Sequence, residues 1–271
     1  MKQLLLACVG LCFCTLAAAA GEKKGDVDEV LACMKANVVD RGGLRHLQIV
    51  TTDRGGGSTT LELNLYWRPS TTGSTVSIQV TQPESLAGAA YLMRENEKGP
   101  DDLYVYVPTI GKARRILGAA RGENLWGTSF SYDEIKLAQG LVLNGPTIRL
   151  ADSTLRGRSV FVLESKFGEP EGRPRKALTY VDQKSCTVLR SELFSAAGEL
   201  AKTLDGDLSL LFETSDHDER PIWLMLGYTM KDIENGRRSV VRLGEIHLLE
   251  RARSSLFAPE SFYQPLVADD H

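Results

Sequence analysis

The sequence predicts a mainly β protein of the α+β class, with a strongly curved antiparallel half-barrel of about 10–11 strands covered by a few helices. Two observations predict this fold. Apolar and polar residues alternate over many short segments, which are separated by turn-forming residues. Few stretches have helical spacing. Because so many strands rarely stay in one flat sheet, we expect the sheet to curl.

The N-terminus has the pattern of a secretory signal peptide, which we assign to residues 1–20. Lys2 precedes an apolar run that ends in small residues up to Ala20. The run is shorter than the roughly 20 apolar residues of a transmembrane helix. A lipoprotein signal fits poorly, since the bulky Phe13 precedes Cys14. We therefore expect export without a lipid anchor, cleavage near Ala20 and one mature domain over residues 21–271.

Charge and composition argue against nucleic acid as a partner. Lys2 is the one charged residue of the signal peptide, so its removal changes the net charge from −3 to roughly −4. No later stretch is long and apolar enough to span a bilayer.

Two cysteines follow the signal peptide, Cys33 and Cys186. An exported protein meets an oxidising environment, so we expect a disulfide between them. Two buried thiols are the alternative. A redox-active pair is disfavoured because neither cysteine stands in a C-x-x-C motif.

The first element after the signal peptide is a helix. Asp26 is a suitable N-cap, and Val27, Val30, Met34 and Val38 have the spacing of one apolar helical face. Strands follow near residues 60–68, 75–82, 89–95, 103–107, 146–153, 158–165, 176–182, 187–194, 208–213, 222–231 and 238–250.

A second helix is predicted at residues 131–141. Ser131 and Glu134 have the spacing of a capping box, and Ile135 and Leu141 contribute to an apolar face.

Apolar and aromatic residues on the strands form the candidate interior. These are Leu61, Leu63, Leu65, Trp67, Val76, Ile78, Val80, Leu103, Val105, Val107, Trp223 and Met225. Several strands are apolar on both faces, and the helices are too few to cover them. The sheet therefore either closes on its own side chains or encloses a cavity for an apolar ligand. A buried acyl chain would gain about 0.8 kcal/mol per CH₂ group, which favours the cavity.

No pattern of residues indicates catalysis, a metal or a cofactor. His46, His217, His247 and His271 lack the local spacing of a metal or hydrolase motif. The glycines at residues 55–57 lie between two strands, as in a hairpin loop, whereas a phosphate loop precedes a helix. We expect a protein that is not an enzyme, with no cofactor and no metal.

Residues 103–135 carry a resemblance to a known family. The segment reads LYVYVP, then KARRI and then WGTSFSYDE. In this order the motifs resemble those of the outer-membrane lipoprotein-sorting (LolA-like) family of periplasmic proteins. Smaller matches are the VTQP segment before Leu86-Ala87-Gly88, the strand from Cys186 to Arg190 and the helix with Cys33-Met34. Ser129 departs from the family pattern, in which an acidic residue is common at this position.

The resemblance implies a half-barrel that shields acyl chains of lipids or lipoproteins on their way to the outer membrane. The loop around Trp126 and Phe130 and the helix at residues 131–141 would then form a lid. Arg114 and Arg115 would contact lipid headgroups or a partner, unless they simply form a solvated turn. The alternative is a non-catalytic accessory module that docks on a membrane exporter of the resistance–nodulation–division (RND) type. An RND-type inner-membrane transporter or an outer-membrane acceptor is thus an expected partner.

Overall fold

The computed structural model describes residues 25–39, 41–70, 73–96, 99–143, 145–167, 176–216, 218–250 and 252–264. The predicted signal peptide and its cleavage near Ala20 lie outside these residues, as do His217 and His271. No helix in the described ranges is long and apolar enough to cross a membrane.

One α-helix and 16 strands make up most of the described chain. They are α1 (Gly25–Ala36), β1 (Gly43–Thr52), β2 (Ser58–Ser70), β3 (Gly73–Gln82), β4 (Ala90–Arg94), β5 (Asp102–Val107), β6 (Lys112–Ile116), β7 (Thr147–Arg149), β8 (Ser153–Leu155), β9 (Arg158–Lys166), β10 (Lys176–Asp182), β11 (Val188–Phe194), β12 (Leu200–Gly206), β13 (Leu211–Ser215), β14 (Pro221–Met225), β15 (Gly227–Asp232) and β16 (Arg237–Leu248). Short 3₁₀ helices span Glu84–Leu86, Gly118–Gly122, Leu125–Gly127, Glu134–Gln139, Leu208–Leu210 and Ser254–Phe257.

Fourteen of the strands form one antiparallel sheet. Its order is β6-β5-β4-β3-β2-β1-β16-β15-β12-β11-β10-β9-β7, with β8 paired to β9, and the hairpin β13–β14 stands apart. The first six strands are a simple meander, and β16 then joins this half to the other by pairing with β1. The end strands β6 and β7 do not pair, so the sheet is open. The sheet has more strands than the 10–11 expected, since β1, β6 and β12 lie outside the strand segments predicted from the sequence.

The sheet is strongly curved, as predicted. Leu103 and Val105 of β5, near one end of the strand order, share a single buried cluster with Val160 and Val162 of β9, near the other end. Two residues of one 3₁₀ helix, Glu134 and Lys136, contact Lys202 of β12 and Asp101 beside β5, although β12 and β5 are seven positions apart in the strand order, so the sheet curls around this helix. The mainly β half-barrel fold is therefore confirmed.

Two segments pack on the outer, convex face. Helix α1 places Val30 and Met34 in a cluster with Leu163 of β9 and with neighbouring residues of β10 and β11. On the other half, Phe257 and Phe262 of the C-terminal segment pack against strands β2 and β4. Each half of the sheet therefore has its own outer support.

The expected disulfide is present between Cys33 and Cys186, with Cα atoms 5.7 Å apart. It links α1 to the turn between β10 and β11, across a sequence separation of 153 residues. The first predicted helix is also confirmed, as α1.

Candidate functional site

The interior of the half-barrel contains most of the apolar residues predicted from the sequence. Ten of them are buried in the main cluster: Leu61, Leu63, Leu65, Val76, Ile78, Val80, Leu103, Val105, Phe130 and Met225. Trp67, Val107 and Trp126 are partly buried against the same cluster. Trp223 lies at the margin, where Lys184 Nζ stands 5.3 Å from its ring centre. The strand alternation therefore identifies the concave face correctly.

A single connecting segment, residues 118–143, fills the concave face. We call it the cover. Its side chains Leu125, Phe130, Ile135 and Leu137 are buried in the same cluster as the sheet residues. None of its residues pairs with a strand of the sheet, and its isolated β-bridge lies within the cover itself. The interior in this conformation is closed by the protein's own side chains.

The cover is not the regular α-helix predicted at residues 131–141. It forms a 3₁₀ helix over Glu134–Gln139, which ends at Gly140 with φ of +75°. The capping box is present: the Ser131 N–H donates to Glu134 Oε2 at 2.9 Å, and the Glu134 N–H donates to Ser131 Oγ at 3.3 Å. The left-handed backbone of Gly140 ends the helix after six residues.

A buried ion pair anchors the cover to β12. Lys202 Nζ donates to Glu134 Oε2 at 2.7 Å and to the Ser129 carbonyl oxygen at 3.0 Å. Ser129 also meets β16, because its N–H donates to Ser239 Oγ at 2.8 Å and the two hydroxyl oxygens lie 3.1 Å apart. At this position, where the LolA-like pattern often has an acidic residue, Ser129 instead makes a contact between two uncharged hydroxyl groups.

A second group of buried charges anchors the cover beside β5. Arg121 Nη2 lies 2.6 Å from Asp133 Oδ1, and Arg121 Nη1 donates to the Asp101 carbonyl oxygen at 2.7 Å. Lys136 Nζ lies 3.0 Å from Asp101 Oδ2. None of these residues, nor Lys202, was predicted as functional, because the partners are far apart in sequence.

Trp126 stands in an unusual conformation. Its backbone is left-handed, with φ of 46° and ψ of 39°, and its buried indole Nε1 has no hydrogen-bond partner. A left-handed non-glycine residue is strained unless its surroundings hold it there. The predicted lid residue thus marks a point of strain in the cover.

The predicted headgroup contacts lie on the edge strand β6. Both arginines are exposed, and Arg115 forms an ion pair with Asp102 of β5. Two exposed apolar residues flank the strand, Ile110 at 48% and Leu117 at 60% exposure. Arg114 lies opposite Val105, on the concave side of the sheet at its exposed edge, whereas Arg115 lies opposite Tyr104 on the convex side.

A small polar cavity lies at the end of the interior where β1 begins. Its volume is about 60 Å³, and its lining includes Arg45, Gln139, Tyr228, Trp223 and Met34. This space is large enough for a few water molecules and too small for an acyl chain. An acyl chain would enter this cavity only after the cover is displaced.

Arg45 dominates the electrostatics of this cavity. Its Nε and Nη2 atoms are buried without a hydrogen-bond partner, and so is Nε2 of Gln139. Burial lowers the pKa of Arg45 to about 10 and raises the pKa of the neighbouring Tyr228 hydroxyl well above its usual value. Arg45 was not among the predicted residues. Its position in the GLRHLQIV segment, on the same strand face as Leu47 and Ile49, is the pattern that could have identified it.

Within the described part of the chain, no three His, Cys, Asp or Glu side chains are grouped closely enough to hold a metal ion.

Comparisons with known proteins agree with this architecture. A family model described as "Uncharacterized protein" matches residues 73–264. None of the curated proteins compared with the chain matches it.

Three solved structures share the fold. A domain assigned as an outer membrane lipoprotein-sorting protein, from Vibrio parahaemolyticus, is 19% identical with a TM-score of 0.71, over 84% of this chain and 94% of that one. A DUF1329 family protein from Desulfovibrio piger is 15% identical with a TM-score of 0.71, over 85% and 95%. A LolA superfamily protein from Nitrosomonas europaea is 17% identical with a TM-score of 0.63, over 85% and 96%. At these identities the likeness shows the fold alone.

Proposed function

We propose a function for this chain, which belongs to the family described as "Uncharacterized protein" and matches its model over residues 73–264. The chain is a periplasmic carrier that shields acyl chains of lipids or lipoproteins. Its LolA-like fold supports this proposal. The observation that carries it is an apolar concave face closed by a segment that belongs to no strand of the sheet.

The cover can be exchanged for cargo without dismantling the sheet. Its contacts with the sheet are side-chain packing and a few anchoring pairs, such as Lys202 with Glu134. An acyl chain that replaces the cover's apolar side chains would again bury the concave face, at about 0.8 kcal/mol per CH₂ group. The closed conformation is then the empty carrier, and the residues predicted to line the cavity become cargo contacts when the cover moves.

Two observations support export to the periplasm. The sequence of residues 1–20 has a signal-peptide pattern. The disulfide between Cys33 and Cys186 is of a kind that persists in oxidising compartments.

Docking on a membrane partner is the second candidate, and the edge strand β6 favours it. Its backbone is paired on one side only, by β5, while Arg114 and Lys112 are exposed. An edge strand can accept a strand from a partner. Arg114 is a better candidate for this contact, or for a lipid headgroup, than Arg115, because Asp102 already engages Arg115. An RND-type transporter or an outer-membrane acceptor would be the partner.

The proposal is tested by native mass spectrometry with lipid extraction, using protein purified gently from the periplasm. A variant with Ser129→Cys and Ser239→Cys is compared with the wild type. The two hydroxyl oxygens lie 3.1 Å apart, so a disulfide at this position requires a small adjustment and fixes the cover to β16. We expect the wild type to take up acylated lipid and the oxidised variant to stay empty.

Reduction should restore lipid uptake by the variant. The wild type and the single variant Ser239→Cys, treated with the same oxidant and reductant, control for effects on the native disulfide. A wild type that stays empty when offered lipids and lipoproteins would contradict the carrier and leave docking as the better account.

A further inference from the structure

The cavity at Arg45 combines groups from the sheet and from the cover. Arg45 lies near the start of β1, just before a shift in the pairing register with β16 at Leu47. Gln139 and Gly140, at the end of the cover's 3₁₀ helix, line the same cavity. A ligand in this cavity would therefore contact both the fixed and the movable part of the half-barrel.

The charge in this cavity is not neutralised within the protein. Among the described residues, no Asp or Glu side chain forms an ion pair with Arg45, whose Nε and Nη2 donors are buried and unpaired. An unpaired buried charge costs several kcal/mol of folding free energy, so proteins rarely keep one without a use. Other buried cations of this chain, such as Lys202 and Lys136, have carboxylate partners.

Gly140 keeps the cavity open. A side chain at this position would place its Cβ atom 3.3 Å from the Tyr228 hydroxyl oxygen, and the left-handed backbone also disfavours one. The space that remains, about 60 Å³, suits a compact polar group.

We propose that Arg45 and Gln139 bind an oxyanion, the phosphate or carboxylate head of an amphiphile whose tail occupies the opened interior. A guanidinium presents a planar fork of N–H donors that matches two oxygens of such a group, and the Gln139 amide supplies a further donor. The part of this inference that concerns the tail rests on the proposed function, while the part that concerns the head group rests on the unpaired donors of Arg45 and Gln139.

The test uses three probes with the full mature protein: dodecyl phosphate, dodecanol and inorganic phosphate. Binding is measured by calorimetry for the wild type, Arg45→Met, Arg45→Lys and Arg238→Met. Arg238 is an exposed arginine at the far end of β16, so its variant is a matched control. We expect the wild type to bind dodecyl phosphate at least roughly tenfold more tightly than dodecanol, since a hydrogen-bonded charge contributes that much.

In Arg45→Met this preference should disappear, in Arg45→Lys it should be partly retained, and in Arg238→Met it should be unchanged. Thermal unfolding separates binding from structure. Removing an unpaired charge should keep or raise the melting temperature of the empty Arg45→Met protein, whereas a purely structural arginine would lower it.

The outcomes distinguish this inference from the carrier itself. Equal binding of dodecyl phosphate and dodecanol, unchanged in Arg45→Met, overturns the oxyanion site and leaves the carrier. Phosphate binding that depends on Arg45 without binding of either amphiphile supports the site, with a free oxyanion as its ligand, and removes the carrier. No binding of any probe overturns both.

Discussion

The ion pair between Lys202 and Glu134 joins the cover directly to strand β12 of the sheet. Only 2% of the Glu134 side chain and 13% of the Lys202 side chain are exposed. Lys202→Met would leave the buried Glu134 carboxylate without a positively charged partner, with the Ser131 N–H still donating to it. We expect the free energy of unfolding to fall by about 3–5 kcal/mol, as measured by urea denaturation.

Two further variants make this prediction specific. Adding Glu134→Gln to Lys202→Met should recover part of the lost stability, because the uncompensated charge is gone. Lys231→Met, which removes an exposed lysine of β15, should change little. An equal loss in Lys231→Met would show that lysine removal in general, and not the buried pair, is responsible.

Gly140 offers a test of the cavity as the head-group site, with Gly157 as a control that has nearly the same backbone conformation. Gly140 has φ of +75° and Gly157 has φ of +76°, but a Cβ atom would crowd Tyr228 only at Gly140. Both alanine variants should lose about 1 kcal/mol of stability from left-handed strain. Only Gly140→Ala should also weaken dodecyl phosphate binding in calorimetry. Equal effects of the two variants on binding would argue against the cavity as the head site.

The cover differs from the strands in how its backbone is held. Its residues make no ladder hydrogen bonds with the sheet, whereas β2 is paired on both sides, by β1 and β3. Segments with few such bonds open at low free-energy cost. We expect amide hydrogens of residues 118–143 to exchange faster than those of β2 in the empty protein.

Bound cargo should change this exchange in a characteristic direction. If an acyl chain displaces the cover, exchange in residues 118–143 rises while β2 becomes more protected. The oxidised variant with Ser129→Cys and Ser239→Cys should show neither change. Protection of the cover by cargo would mean that lipid binds elsewhere and the cover stays in place.

The strands and the cover also show what sequence can predict. Alternation places Leu61, Leu63 and Leu65 on one face, and the sheet buries them because period-two patterning is a local property. The capping box at Ser131 is likewise local, and it is present. The predicted length and type of the following helix were wrong, and the contacts that hold this segment, such as that of Lys202 with Glu134, join residues 68 positions apart. Such long-range contacts leave no local pattern.

The two halves of the sheet are supported separately on their convex sides, by α1 and by the C-terminal segment. A half-barrel that opens its interior to cargo needs such outer support, since losing the cover removes contacts that join its two halves. The Cys33–Cys186 disulfide strengthens one of these supports by fixing α1 to the turn after β10. We therefore expect α1 and the C-terminal segment to contribute mainly to the stability of the fold, and the concave face to determine the binding of cargo.

Replacing both Cys33 and Cys186 by alanine tests this division. Because the disulfide joins residues 153 positions apart, the chain-entropy model predicts a loss of up to about 5 kcal/mol in the free energy of unfolding by urea. Reductant should destabilise the wild type and leave the variant unchanged. The folded variant should still bind dodecanol, because its tail would lie along the concave face, although Met34 and Cys186 line the cavity at the end of that face. Loss of dodecanol binding while the variant remains folded would mean that α1 shapes the interior as well as supporting the outer face.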